Sequence, residues 1–322
     1  MRMNPALRRW LNILGPVFGL MLVWTLFALL QPETFPTPRN AELIARQTAI
    51  VGIAALGMTL IIIAGGIDLS VGSVVALCSV VVAWLLQRGV DPLLAAMASI
   101  AVGALCGTIN GLLITKLKVV PFIVTLGMLL VVRGAAKGLG NEQKIDADLT
   151  WLNGLLASLP AEKRGMIFPP GVWIMLLLSL GMVGLLRYTR LGRYAFAIGS
   201  NELTARLCGV PVVRSKIYIY TLSSAFAGLA GLMQFSRLTV GDPTVAVGLE
   251  LEVIAAVVIG GGSLSGGEGS VLGTVVGALI ITSIRNGCVQ KGVANWIQEI
   301  LTGIIIVIAV TLDRLRHRRT SE

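Results

Sequence analysis

Residues 192–216 read GRYAFAIGSNELTARLCGVPVVRSK, a polar and basic stretch between two apolar runs near 171–187 and 216–236. Arg193, Arg206, Arg214, Lys216 and Glu202 make it unfit for hydrocarbon. The flanking runs have the opposite character, each close to the length needed to cross about 30 Å of lipid. The stretch is therefore a loop outside a bilayer, and its neighbours are membrane spans.

The rest of the chain has the same bias. Of its 322 residues 55% are hydrophobic and 13% charged, with mean hydropathy +0.86, too little polar surface to cover a soluble globule of this size. The apolar segments are continuous runs rather than the alternating ten-residue strands of a barrel, which identifies an all-α, polytopic transmembrane bundle. Windows of about 19 residues place spans near 11–30, 42–64, 69–86, 92–115, 119–137, 171–187, 216–236, 244–260, 270–285 and 296–312. Ten spans put both termini on one side. With the termini cytoplasmic, that face holds 15 of the 26 basic residues and 5 of the 16 acids, so the whole net charge of +10 lies there. This agrees with the cytoplasmic bias of Lys and Arg, and the high pI requires no nucleic-acid partner.

The run from Leu11 to Leu30 after Arg8-Arg9-Trp10 reads as a retained span, because no small-x-small cleavage pattern follows it. Cys78, Cys106, Cys208 and Cys288 form no CxxC pair, and His317 is the single histidine, so neither a metal nor a disulfide framework is indicated. The longest outer segment, 138–170, carries Glu142, Asp146, Asp148 and Trp151, with Trp173 just beyond. It reads either as an ordered extracytoplasmic cap with interfacial tryptophans or as a loose loop.

Two segments share the pattern GGxxLSxG: Gly65-Gly66-Ile67-Asp68-Leu69-Ser70-Val71-Gly72 and Gly260-Gly261-Gly262-Ser263-Leu264-Ser265-Gly266-Gly267. Paired glycines weaken a helix by about 1 kcal/mol each relative to alanine, so both are predicted helix breaks. Freed backbone groups in a membrane protein must face protein or water. Each break therefore either lines a polar path or forms a tight turn with close packing. The second is flanked by short spans carrying Glu250 and Glu252. Asp68 could accept hydrogen bonds from a polyol, but it and Ser70 immediately precede the apolar run at Val71, which favours capping. Arg133, Lys137, Arg237, Arg285 and Glu299 lie near span ends, where long side chains reach the interface. Asn110, Thr125, Gln234 and Asn286 suit either a polar path or interhelical bonds.

Within 192–216, Ser200-Asn201 can cap a helix over Glu202 to Leu207 that Gly209 and Pro211 end. Glu202 and Arg206 fall on one face, while Leu203 and Leu207 form an apolar ridge that calls for a groove in another protein. GMTLIIIAGGIDLSVGS, TRLGRYAFAIGSNELTARLCGV and LELEVIAAVVIGGGSLSGGEGSVLGTVVGALI, with the ten-span layout, resemble the permease subunit of ribose-type monosaccharide ABC importers over roughly residues 40–312. The resemblance implies a bacterial inner-membrane permease importing a pentose or hexose, with a second permease, a cytoplasmic ATPase holding ATP and Mg, and a periplasmic sugar-binding protein as partners. It implies that Asn201, Glu202, Ala205, Arg206 and Gly209 form the helix that couples to the ATPase, with Cys208 where a small residue is usual. No Gly-Lys dipeptide occurs, so a Walker A phosphate cradle is impossible and no cofactor is expected on this chain. The rival reading, an ion-coupled secondary transporter, would need buried ionisable chains, for which Asp68 is the one candidate.

Overall fold

The computed structural model describes residues 5–159 and 168–321. In chain order the helices are α1 (Pro5–Leu30), α2 (Pro38–Ile63), α3 (Val71–Leu86), α4 (Pro92–Lys116), α5 (Pro121–Leu139), α6 (Pro170–Tyr188), α7 (Arg190–Ser200), α8 (Glu202–Leu207), α9 (Val212–Leu238), α10 (Leu249–Ile259), α11 (Val271–Gln290) and α12 (Asn295–Ser321). Two two-residue strands, β1 (Ile145–Asp146) and β2 (Val240–Gly241), pair antiparallel. Five of the described helices start on proline, where the missing N–H would have no intrahelical partner. Asp91 caps α4 by accepting from Leu93 N (2.9 Å) and Leu94 N (3.3 Å).

The protein is an all-α membrane bundle in which α2, α4, α5, α6 and α11 are long and apolar enough to cross a bilayer. Each of the ten sequence-predicted segments overlaps one of α1–α6 and α9–α12. The segment predicted over 244–260 is shorter than expected. α10 begins only at Leu249, because residues 242–248 form a turn ending on Gly248 at φ +80°, and its 11 residues rise about 16 Å.

Hydropathy does not say which helix is central. α2 is buried over 89% of its apolar window, packed among α6, α9, α10 and α11. α9 is less apolar than α2, yet it lies against α2, α3 and α4. Backbone proximity explains this. Gly103, Gly107 and Gly111, one turn apart on α4, face Ser224, Tyr220 and Ile217 of α9 so closely that a Cβ on Gly107 would lie 2.2 Å from the Tyr220 carbonyl oxygen. Hydroxyl pairs tie helices together as well: Thr48 with Thr282 (2.6 Å) and Thr59 with Thr274 (2.8 Å) between α2 and α11, and Thr108 with Thr221 (2.8 Å) between α4 and α9.

Of the segment 138–170, read from the sequence as either an ordered cap or a loose loop, residues 140–159 pack on the bundle, while 160–167 lie outside the described residues. Ser236 Oγ accepts from Leu156 N (2.9 Å) and donates to Asn153 O (3.1 Å), and Arg46 Nε donates to Leu156 O (2.6 Å). These bonds fasten the segment to the ends of α9 and α2.

Candidate functional site: the α7–α8 corner and two glycine breaks

α8 arises where the chain must leave α7 without losing hydrogen bonds. Asn201 is extended (φ −162°) and its Oδ1 accepts from Thr204 N (2.8 Å), capping α8 as the sequence predicts. At the other end Gly209 adopts φ +82°, which only glycine takes readily, and Val210 N reaches back to Ala205 O (3.0 Å). Ala205 is buried against Ile198 and Val212. Leu203 and Leu207 point outward, 70% and 81% exposed.

The five residues expected to form a coupling helix thus divide. Asn201, Ala205 and Gly209 shape and seat the helix, while Glu202 and Arg206 lie on its polar side. Glu202 makes the expected contact with Arg206 (3.6 Å) and a shorter one with Lys216 Nζ (2.6 Å), a partner that the i,i+4 pattern could not reveal.

Both GGxxLSxG segments interrupt helices. In the first, Gly65 takes φ +75°, and Gly65 N and Gly66 N close the end of α2 on Ile62 O and Ile61 O (2.9 Å each). Asp68 and Ser70 are fully buried. Asp68 does not cap α3 directly as expected. Its Oδ1 accepts from Ser70 N (2.8 Å) and Ser70 Oγ (2.6 Å), and Ser70, with helical backbone, occupies the cap position without a side-chain cap bond. Asn110 Nδ2 then donates to Ser70 Oγ (3.0 Å), an interhelical link between α4 and the break. Asp68 Oδ2, Asn110 Oδ1 and the hydroxyls of Ser223 and Ser224 are buried without a protein hydrogen bond.

In the second break, Gly260 ends α10 and Gly261 takes φ +91°. Gly260 lies against the backbone of Gly273, so α10 and α11 form a tight hairpin. Gly262 packs on Val257, and Ser263 is buried with its N–H on Glu268 O (3.1 Å) and its Oγ accepting from Ser265 N (3.2 Å). The two breaks, 195 positions apart, meet: Gly267 N donates to Ile63 O at 2.8 Å, and Gly199 at the end of α7 touches both. No spacing rule in the sequence brings these three segments together.

The charged span-end residues do more than reach an interface. Arg133 Nη1 donates to Pro243 O (3.0 Å) and Val245 O (2.6 Å), holding the turn before α10. Arg285 Nη1 pairs with Glu252 Oε1 (2.7 Å). Glu250 approaches α3 closely enough that a Cβ on Gly72 would meet its carboxylate.

Fold and site together define a multi-pass helical membrane protein that presents a short exposed helix beside two joined glycine breaks. The family model for the permease component of branched-chain amino acid transport systems matches residues 40–310. The ribose import permease protein RbsC of Escherichia coli K12 is 39% identical over 310 residues, 96% of either chain. That of Bacillus subtilis is 42% identical over 305 residues, 94% of this chain and 92% of its own. The fructose import permease protein FrcC of Rhizobium meliloti is 38% identical over 303 residues, 93% and 84% of the two chains. No solved structure gives a significant match. The chain belongs to this permease family: it is a multi-pass inner-membrane component of an ABC-type importer, a transport subunit rather than an enzyme.

Proposed function

We propose that this permease carries a monosaccharide, a pentose or hexose, across the bacterial inner membrane, and that α8 is where an ATPase partner grips it. The substrate class follows the relatives, which are ribose and fructose import permeases. In this reading α1–α6 and α9–α12 are ten spans with cytoplasmic termini, and 192–216 is a cytoplasmic coupling loop. The segment 138–170 then faces the periplasm, where a sugar-binding protein delivers the substrate. A second permease, identical or related, completes the path within the bilayer.

One observation carries the docking assignment: Leu203 and Leu207 stand exposed side by side on a helix that Asn201, Ala205 and Gly209 hold rigidly against the bundle. An apolar ridge on a polar loop is stable when a partner covers it. With α8 cytoplasmic, the contacts of Gly199 with Ile63 and Gly267 support a reading in which both breaks lie on that same side, at the inner end of the path. ATP and Mg belong to the partner. Approach of two ATPase domains would displace α8 in each permease and shift the pair between outward-open and inward-open states.

The test is Arg206→Glu in the co-expressed complex, read by affinity capture of the ATPase. Normal membrane insertion with loss of the captured ATPase is expected. Capture at the wild-type level would overturn the docking assignment.

A further inference from the structure

Three segments distant in sequence converge at Gly199 with no room for a side chain. A Cβ on Gly199 would lie 1.8 Å from Ile63 O and 2.6 Å from Gly267 N. A Cβ on Gly266 would lie 2.6 Å from Gly199 O and 3.0 Å from the Cα atoms of both Gly199 and Gly65. Gly267 N donates to Ile63 O across the same point (2.8 Å), and Gly269 lies on the Ile63 side chain. Every contact but the last is backbone on backbone, the stiffest kind available, because there are no side-chain rotamers to absorb movement. Two residues along, Asn201 caps α8.

We infer that Gly199 is the positioning residue of a joint, formed with the Ile63 carbonyl and Gly266–Gly267, that passes displacement of α8 to both glycine breaks at once. The geometry is one-to-two. Gly199 lies in the last turn of α7, its Cα and carbonyl touch the α10–α11 loop, and the end of α2 meets it at the same point. The α2–α3 break and the α10–α11 hairpin therefore move as a pair whenever the α7–α8 corner moves. This rests on the docking reading above, and adds that grip and transmission belong to different residues: Leu203, Arg206 and their neighbours hold the partner, whereas Gly199 conveys the motion.

The experiment uses the full complex in proteoliposomes with the sugar-loaded binding protein, recording ATPase capture, ATP hydrolysis and sugar moved per ATP. For Gly199→Ala, capture within twofold of wild type and a fall of at least tenfold in sugar moved per ATP are expected. An unchanged ratio in a captured complex would overturn the joint. Should that variant fail to assemble, Gly269→Ala decides, since its Cβ would meet side chains alone, Ile63 Cγ1 at 2.6 Å and Cδ1 at 2.9 Å with Thr59 Cγ2 at 3.8 Å, and these can yield. Here a threefold to tenfold fall with capture retained supports the joint, and wild-type coupling overturns it. Gly184→Ala, with open space around the new methyl, is the control expected to match wild type in every readout. Failure of the docking reading appears separately, as Arg206→Glu retaining the ATPase.

Discussion

Lys216 Nζ at the foot of α9 lies 2.6 Å from Glu202 Oε2 in the first turn of α8. Lys216 is largely buried, so this pair, more than the exposed Glu202–Arg206 contact, fixes the angle at which α8 leaves the bundle. Glu202 is still part-exposed, which limits the pair to about 0.5–1 kcal/mol. Lys216→Met is therefore expected to preserve insertion and to weaken ATPase capture about twofold to fivefold, well short of the loss expected for Arg206→Glu. Amide hydrogen exchange over residues 201–210 should quicken by a similar factor; unchanged exchange would show that the pair does not hold α8.

Asp68 offers a second test. Its Oδ1 is the acceptor for both donors of Ser70, and Ser70 in turn accepts from Asn110. Asp68→Ala orphans those donors in a fully buried place, at about 1–3 kcal/mol for each group left unpaired. Asp68→Asn keeps an acceptor oxygen at that position. The alanine variant is expected to lower the thermal midpoint of the purified protein clearly and the asparagine variant to lose less than half as much. Equal losses would mean that the Ser70 bonds are not what Asp68 contributes.

These two residues show how far the sequence could be read. Apolar runs of span length and paired glycines are local signals, so the helices, both breaks and the α8 caps were legible before any coordinates. Asn201 and Gly209 do what their residue types suggest. Partnerships were not legible, because they depend on which segments meet. Lys216 for Glu202, Asn110 for Ser70 and Ile63 for Gly267 lie 14, 40 and about 200 positions away. The local pattern allows Asp68 as a direct helix cap, whereas Ser70 holds the cap position and Asp68 bonds to Ser70 instead. One signal was present and unread: the four-residue spacing of Gly103, Gly107 and Gly111 marks a close helix seam, the one α9 fills.

That seam can be probed directly. A methyl on Gly107 would fall 2.2 Å from the Tyr220 carbonyl and 2.7 Å from Ser224, forcing α4 and α9 apart. Overpacking of this kind costs about 1–3 kcal/mol. Gly181→Ala on α6 meets nothing within 4 Å and should be neutral or slightly stabilising through its better helix propensity. Gly107→Ala is expected to unfold at a distinctly lower temperature than Gly181→Ala in the same detergent. Matching midpoints would mean that α4 and α9 are not as closely apposed as described.

The β1–β2 ribbon has its own pH dependence. Burial alone would raise the Asp242 carboxyl, but Thr244 donates to its Oδ1 through Oγ1 (2.6 Å) and N (2.8 Å), and Lys144 pairs with Oδ2 (3.2 Å). Together these hold Asp242 below the ordinary carboxylate range. A group whose pKa is lowered on folding stabilises the fold fully above its unfolded value, near 3.9, and that contribution fades as pH falls through the folded value. The pairing of Ile145–Asp146 with Val240–Gly241 should thus be unaffected between pH 7 and 5 and loosen below about pH 4. Asp242→Asn should show the loosened state at every pH. Hydrogen exchange of the four strand amides, corrected for intrinsic pH effects, measures this. A wild-type ribbon whose protection does not change between pH 5 and pH 3 would remove Asp242 as its latch.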